Sequence, residues 1–438
     1  MNARDVAEQA LAAVDDRGNA EVVVSVGRSA LTRFANSFIH QNVAEDSVAV
    51  SLRVEVDGRV STSSATAVGD EAITRLADAT VESARLQPVD NDWPGLAPVT
   101  AVPPVEHYDR ETAFSNPEQR AGLVRSFIGA GPTAAGYLDT VGEEVVYANS
   151  LGHSASGRHS RATIDGIHQT PTSAGTGHAT STRIGDLDAT AVGLGAFDRA
   201  ARAADAFDLK PGEYQVVLSP ECVATICIFL GFYGFNAKAH QEGQSCIRLG
   251  EQQFHPDVNL FDDAGDPRAL GVGFDVEGTP KTRLDLVSGG VANALAHTRR
   301  SAAKVGAESS GHAIPQSSVW GPITSNLFFQ GGSDDVDSLI AATERGLYVS
   351  AFNYCRVLEP KSLAVTGLTR NGTFMIENGR ITGAVTNLRF TQSFVAALTA
   401  VEGLGNDGRF ADSEFGPGLV HAPSVQLAGW NFTGGAGG

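Results

Sequence analysis

An α+β protein in two parts is the architecture this sequence predicts. The N-terminal part is an α/β domain of duplicated helix–hairpin units, and the C-terminal part is a mostly β domain around one buried central helix. Three observations carry the expectation. Val48–Val56 alternates apolar and polar residues and passes through Asp57-Gly58, a two-residue hairpin turn, into Arg59–Ser63. A weaker echo of the same helix and hairpin pattern returns before residue 210. From Cys222 to Ala237 there is no charged residue and apolar side chains occur on every side, the pattern of a helix inside a core rather than on its surface.

Taken in order, residues 3–14 read as a short helix, and Glu21–Gly27 as a strand leading into Ser29–Asn42. Asp70 to Gln87 has helical spacing, with Ile73, Leu76, Ala77, Thr80 and Val81 along one stripe, and Pro88–Pro104 is extended linker. The echo consists of a helix opened by Asn116-Pro117-Glu118 and running to about Ile128, strands near 134–139, 144–149, 154–166 and 177–184, and a helix over 186–208. Lys210-Pro211-Gly212-Glu213 marks the boundary between domains 1–210 and 211–438. Tyr214–Leu218 is a strand feeding the central helix, 219–236. Ser219 is placed to cap that helix, Pro220 suits its first turn and Glu221 complements the positive end of its dipole. Beyond Lys238 strands dominate, with turns at 263–266, Glu277-Gly278, Asn371-Gly372 and Asn378-Gly379, one helix over Val336–Arg345, and a glycine-rich tail, Thr433–Gly438, expected to fray.

Composition narrows the function. The chain has 438 residues, 42% hydrophobic and 19% charged, enough for a sizeable core and two domains. Its 32 Lys and Arg against 50 Asp and Glu leave a net charge of −18, and no basic run occurs, so no nucleic-acid surface is expected. The polar start, Met1 to Glu8, resembles no signal or transit peptide, and no apolar run is long enough to cross a membrane. The four cysteines form no C-x-x-C pair, and a reduced, cytoplasmic setting is expected.

Motifs for chemistry are sparse. No Walker loop, His-Glu-x-x-His or Gly-x-Ser-x-Gly elbow is present. His153 and His159 lie in a strand-like stretch without a carboxylate or thiol beside them, and surface polar positions are the simpler reading. His240, Cys246 and His255 follow the central helix and are zinc- or copper-binding residue types. Their spacing matches no metal motif, so an ordinary loop is preferred. The turn Ser309-Ser310-Gly311-His312-Ala313 either presents the Ser310 hydroxyl or the His312 ring to a substrate or is only a tight turn. Cys355 stands beside Arg356, a cation that could lower its pKa, though a buried structural thiol is the plainer assignment.

Several segments in order resemble the TldD/PmbA family, whose two branches are TldD and TldE (PmbA). They are Arg33-Phe34-Ala35-Asn36-Ser37 with His40-Gln41-Asn42, then Ser310-Gly311-His312-Ala313, then Phe374-Met375-Ile376-Glu377-Asn378-Gly379-Arg380-Ile381, and Val401-Glu402-Gly403-Leu404-Gly405-Asn406-Asp407. In the TldD branch the central helix carries His-Glu-x-x-x-His, and a cysteine near the C-terminus completes a zinc site whose glutamate is the general base. Matching that motif here puts Leu230 and Phe235 at the histidines and Gly231 at the glutamate, and no cysteine follows Asp407. The resemblance therefore implies a TldE-like chain without catalytic residues or a cofactor of its own. It also implies zinc in a TldD-type partner, a heterodimer with that partner, and an extended peptide as substrate, with Ser310, Gly311 and His312 as candidate substrate contacts. Two other readings remain: a pair recruited to tailor a peptide or small-molecule natural product, drawing on His240, Cys246, His255 or His312, and a homodimeric peptide-binding module.

Overall fold

In a computed structural model that describes residues 2–435, the first half is built from one unit used twice. Helix α1 (Ala3–Val14), strands β1 (Asn19–Ala35), β2 (Phe38–Val56) and β3 (Arg59–Ala65), and helix α2 (Asp70–Leu86) make the first copy. After a short helical turn, α3 (Arg110–Ala113), the order returns as α4 (Pro117–Ile128), β4 (Thr133–Asn149), β5 (Ser154–Gln169), β6 (Ala174–Ser181) and α5 (Ala189–Arg202). All six strands form one antiparallel sheet in the order β3-β2-β1-β4-β5-β6, so the copies meet where β1 pairs β4. Both helix pairs lie on one face of it. Val22 and Val24 of β1 pack with α1 and α2, and Phe34 at the far end of the same strand packs with α4 and α5. The other face, through Val23, Val145 and Tyr147, meets Val272 and Phe274 of the second half.

The strands are longer than the sequence pattern suggests. β1 and β2 are joined by a tight turn at Asn36-Ser37, both with positive φ (50° and 60°), a hairpin whose serine hides it from composition. The two strands expected near 134–139 and 144–149 are one. The helix expected over 186–208 is confined to Ala189–Arg202, where Asp188 caps it through the Ala191 amide. His153 is not a surface residue: it is buried in the bend before β5, 2.8 Å from the Gly278 carbonyl and against the Tyr147 ring. His159 is half-buried and 2.9 Å from Glu143.

The second half opens with β7 (Gly212–Leu218) and α6 (Pro220–Phe229). The expected eighteen-residue helix does not continue unbroken. A single π-helical turn, Leu230–Gly234, follows α6, and Asn236 then caps a short new helix, α7 (Ala237–Gln241). The strands are β8 (Leu260–Asp262), β9 (Leu284–Ser288), β10 (Val291–Ala292), β11 (Leu327–Phe329), β12 (Arg345–Val349), β13 (Phe352–Glu359) and β14 (Ala364–Thr369). β15 (Thr373–Glu377), β16 (Arg380–Ala384), β17 (Leu388–Ser393), β18 (Val401–Leu404), β19 (Arg409–Ala411), β20 (Val420–Ala422) and β21 (Val425–Gly435) complete them. The helix expected over 336–345 ends at Ala341, and Arg345 already opens β12. Thr433–Gly435, expected to fray, belongs to β21; residues 436–438 lie outside the described residues.

Two sheets enclose α6. One has the order β10-β9-β8-β11-β20-β19; the other, of nine strands, runs β13-β14-β17-β21-β7-β12-β15-β16 with β18 on β21. Leu260, Leu327 and Val420 come from the first, and Val216, Leu218, Leu347 and Val349 from the second, into one core with the helix. Each large side chain buried there contributes roughly 2 kcal/mol, which is why a short segment apolar on all sides is stable only between two sheets. No helix among the described residues is long and apolar enough to cross a membrane.

Candidate functional site

The start of α6 is pinned by charge. Glu221 receives Arg409 from β19 at 2.8 and 3.1 Å. Burial opposes ionisation of Glu221, but the Arg409 charge, helped by Arg199 of α5, outweighs it and holds the carboxyl down at about 2. Ser219 Oγ donates to the Ser350 carbonyl at 2.6 Å. Downstream the helix carries no charge: Cys222 and Cys227 are buried, burial pushes both thiols well up, and the Thr225 hydroxyl accepts from the Glu414 amide at 3.3 Å.

At the π turn, the Phe235 amide donates to the Leu230 carbonyl at 2.7 Å, an i→i+5 bond. Leu230, Gly231 and Phe235 are buried. A Cβ on Gly231 would fall on Thr324 Oγ1, well inside van der Waals contact, so the neighbour occupies the space a side chain would need. Gly234 is similarly close-packed, with Cys246 Sγ and Ile247 Cγ1 each 3.2 Å from a built Cβ. A metal does not fit these residues. Leu and Phe offer no lone pair, Gly231 has no room for a carboxylate, and the buried Thr324 hydroxyl alone faces it.

Where the turn reaches the surface, aromatic rings gather. Phe232 lies 4.9 Å from Tyr233, 5.6 Å from Trp320 and 5.7 Å from Phe415, and Phe229 backs Phe415 at 5.3 Å (ring centroids). Trp320 is 52% and Phe415 47% exposed. Asn236 fixes Trp320 from behind, capping α7 through the Lys238 and Ala239 amides while donating to the Trp320 carbonyl at 2.6 Å. Neither Trp320, at the end of a short helical turn (Ser317–Trp320), nor Thr324 was legible as part of this site, because both reach it from a segment remote in sequence.

The other candidates are dispersed. His240 lies on α7, Cys246 is buried with its thiol pushed up to about 12 by burial, and His255 stands half-exposed 3.5 Å from Asp257. Among the described residues no three His, Cys, Asp or Glu side chains gather in a metal-holding group. Cys355 is buried, and burial pushes its thiol up despite Arg356. Ser310, Gly311 and His312 do form a turn, with Gly311 at φ 77°. His312 points into the core: its Nδ1 is 2.8 Å from Ser310 Oγ and its Nε2 3.1 Å from Asp262 Oδ1, and both ionisable side chains are essentially unexposed. Asp262 Oδ2 accepts from the Ser325 and Asn326 amides at 2.9 and 2.8 Å. Burial resists a charge on Asp262, yet His312, the Asn326 amide and Lys281 hold its carboxyl below the usual range. In this arrangement His312 ties the turn to β8.

Comparison with known proteins agrees with the architecture. A sequence model described as the PmbA/TldA metallopeptidase C-terminal domain matches residues 211–434. A metalloprotease of Methanothermobacter thermautotrophicus is 27% identical over 206 residues, 45% of this chain and 44% of that protein. A metalloprotease of Synechocystis is 25% identical over 164 residues, 37% and 35% of the two chains. These matches thus span less than half the length of either relative. Among solved structures, TldE from Thermococcus kodakarensis superposes with a TM-score of 0.88 at 15% identity, over 98% of this chain and all of that one. A protein of Thermotoga maritima described as a putative modulator of a DNA gyrase gives 0.84 at 18% identity, over 98% and 100%. At such identities the likeness is one of fold.

Proposed function

Because the chain belongs to the TldD/PmbA metallopeptidase family, we propose that it is a zinc-free, TldE-like subunit of a two-chain peptidase. In this reading it supplies interface and chamber wall to a TldD-type chain that holds the zinc. The observation that supports it is the central helix: the family resemblance sets Leu230, Gly231 and Phe235 against the His, Glu and His of the TldD branch, none of the three can bind zinc or take a proton, and Thr324 fills the space at Gly231. The ring cluster of half-buried Phe232 with Trp320 and Phe415, each about half exposed, supports an apolar contact at that same point, since clustered exposed apolar side chains mark interaction sites. An extended peptide enclosed between the two chains would be held through its backbone, which tolerates many sequences.

The test is to prepare the chain alone and together with a TldD-type chain, and to measure zinc content, mass and cleavage of an unfolded peptide. Association with the TldD-type chain, with zinc and cleavage appearing only in the pair, is the expected result. Stoichiometric zinc and proteolysis by the lone chain, or no association, overturns the proposal.

A further inference from the structure

Tyr354 holds a backbone conformation that its side chain does not suit. It lies on β13, the outermost strand of the nine-stranded sheet. Asn353 pairs there with Leu368 and Arg356 with Thr366, so Tyr354 and Cys355 together stand opposite Gly367. The first residue of such a bulge is ordinarily a glycine in the left-handed region. Tyr354 takes that place with φ 54°, which crowds its Cβ against the following carbonyl. Among the described residues, the other non-glycine positions with positive φ are Asn, Asp or Ser, short side chains of the kind turns use, and Leu363, which is buried in the core.

The fold gains little from the Tyr354 ring. Cys355 carries the packing of the bulge: it is buried, and its Sγ fills the space beside Gly367. The ring itself is 65% exposed, with the Arg356 guanidinium 5.9 Å from its centroid, a weak interaction in such an open place. Along β13, Tyr354, Arg356 and Leu358 are exposed and alternate with buried Cys355 and half-buried Val357, so the three share the outer face.

That face runs on into the ring cluster at the π turn. Arg356 meets Glu414 at 3.3 Å. The next residue, Phe415, lies 5.7 Å from Phe232, which in turn lies 5.6 Å from Trp320. Contact by contact, a ridge leads from Trp320 to the sheet edge, and it is built of Trp, Tyr, Arg and Phe. Trp, Tyr and Arg are the residues on which protein contacts most often depend. Arg356 is an exposed cation on a chain of net charge −18, so the surface that complements this ridge is apolar and carries a carboxylate.

We propose that Tyr354 is a contact residue for the TldD-type chain, which lays an apolar side chain against Tyr354 and Phe415 and a carboxylate on Arg356. This rests on the two-chain reading above and extends its contact surface from the central helix to the edge strand.

Association with a TldD-type chain, measured by calorimetry, and urea denaturation of the lone chain together separate a contact role from a structural one. Tyr354→Ala removes the ring, and Tyr354→Gly removes both ring and strain. Both weaken association by about tenfold or more, as for an aromatic anchor. The Tyr354→Gly chain alone nonetheless unfolds at a urea concentration equal to or above the parent's, since glycine suits the left-handed backbone. Leu194→Ala, an exposed position on α5, leaves the affinity unchanged. Parent-like affinity in both Tyr354 variants overturns the proposal and leaves the two-chain reading standing. A Tyr354→Gly chain that unfolds before the parent assigns the ring to the fold and overturns it too. If the parent itself fails to associate, both readings fall, and if it pairs with a second copy through Tyr354 instead, the TldD-type chain is the wrong occupant.

Discussion

Gly231 and Thr324 make a reciprocal pair: one has no side chain, and the other's buried hydroxyl, without a hydrogen-bond partner among the described residues, takes its place. Gly231→Ala should therefore destabilise the fold by about 1–3 kcal/mol, the usual range for overpacking. Thr324→Ala in the same chain should recover more than half of that in a double-mutant cycle by urea denaturation. Additive effects would show that the two do not compete for the space. A second residue-scale expectation concerns Asp412, just after β19. Burial pushes its carboxyl up to about 6; His178 opposes the rise, and Asp165 of the first half adds to it. A folded pKa above the unfolded value means the contribution to stability is present at low pH and is lost as pH rises through about 6. Asp412→Asn should then be more stable than the parent at pH 8, with the gap closing near pH 4, as measured by denaturant titration at both. Single positions were unevenly legible. Leu230, Gly231 and Phe235 could be read because one continuous segment holds them. Thr324, Asp262 and Arg409 could not, because each acts on an element remote in the chain, and only packing brings them there.

At the scale of elements, α6 depends on a charge at its entrance and on apolar neighbours everywhere else. Glu221→Gln leaves Arg409, about a third exposed and still 3.7 Å from Asp407, without its main counter-ion, at a loss of about 1–2 kcal/mol near neutral pH. Because Glu221 is held down at about 2 against an ordinary 4.5, its contribution is present above 4.5 and fades as pH falls toward 2. The stability difference between parent and variant should accordingly be larger at pH 7 than at pH 4; a difference that grows on acidification would contradict this. The π turn after α6 shows what periodicity cannot tell. One inserted residue leaves an all-apolar stretch looking the same, whereas Gly231 and Gly234 mark where the backbone comes close to Thr324 and Cys246. Strand ends were obscured for a similar reason. Asp57-Gly58 is an overt turn signal, but Asn36-Ser37 adopts the same positive φ values without a glycine to announce it.

The whole molecule reads most clearly from its sequence, since its plan repeats: helix, three strands, helix, twice over, then two sheets around one helix. What the pattern could not show was where that plan leaves surface exposed. The ring cluster around Trp320 is the feature on which association would depend. Trp320→Ala should change the stability of the lone chain by no more than about 1 kcal/mol, because its ring is half-exposed. Affinity for a TldD-type chain should fall by about thirtyfold, as for a central aromatic contact, read by sedimentation or calorimetry. The doubled unit has its own consequence for how the chain assembles. Its copies are joined along β1 and β4, which align from Glu21↔Asn149 to Phe34↔Gly136 and are reached through the proline-rich stretch 88–104. Such a seam forms between distant parts of the chain, so it is late to close and open to exchange. At high concentration β1 of one molecule can meet β4 of another and satisfy every bond of the ladder. Refolding from denaturant at rising concentration should therefore trap interlocked dimers that persist on dilution, and shortening the 88–104 connection should increase their share.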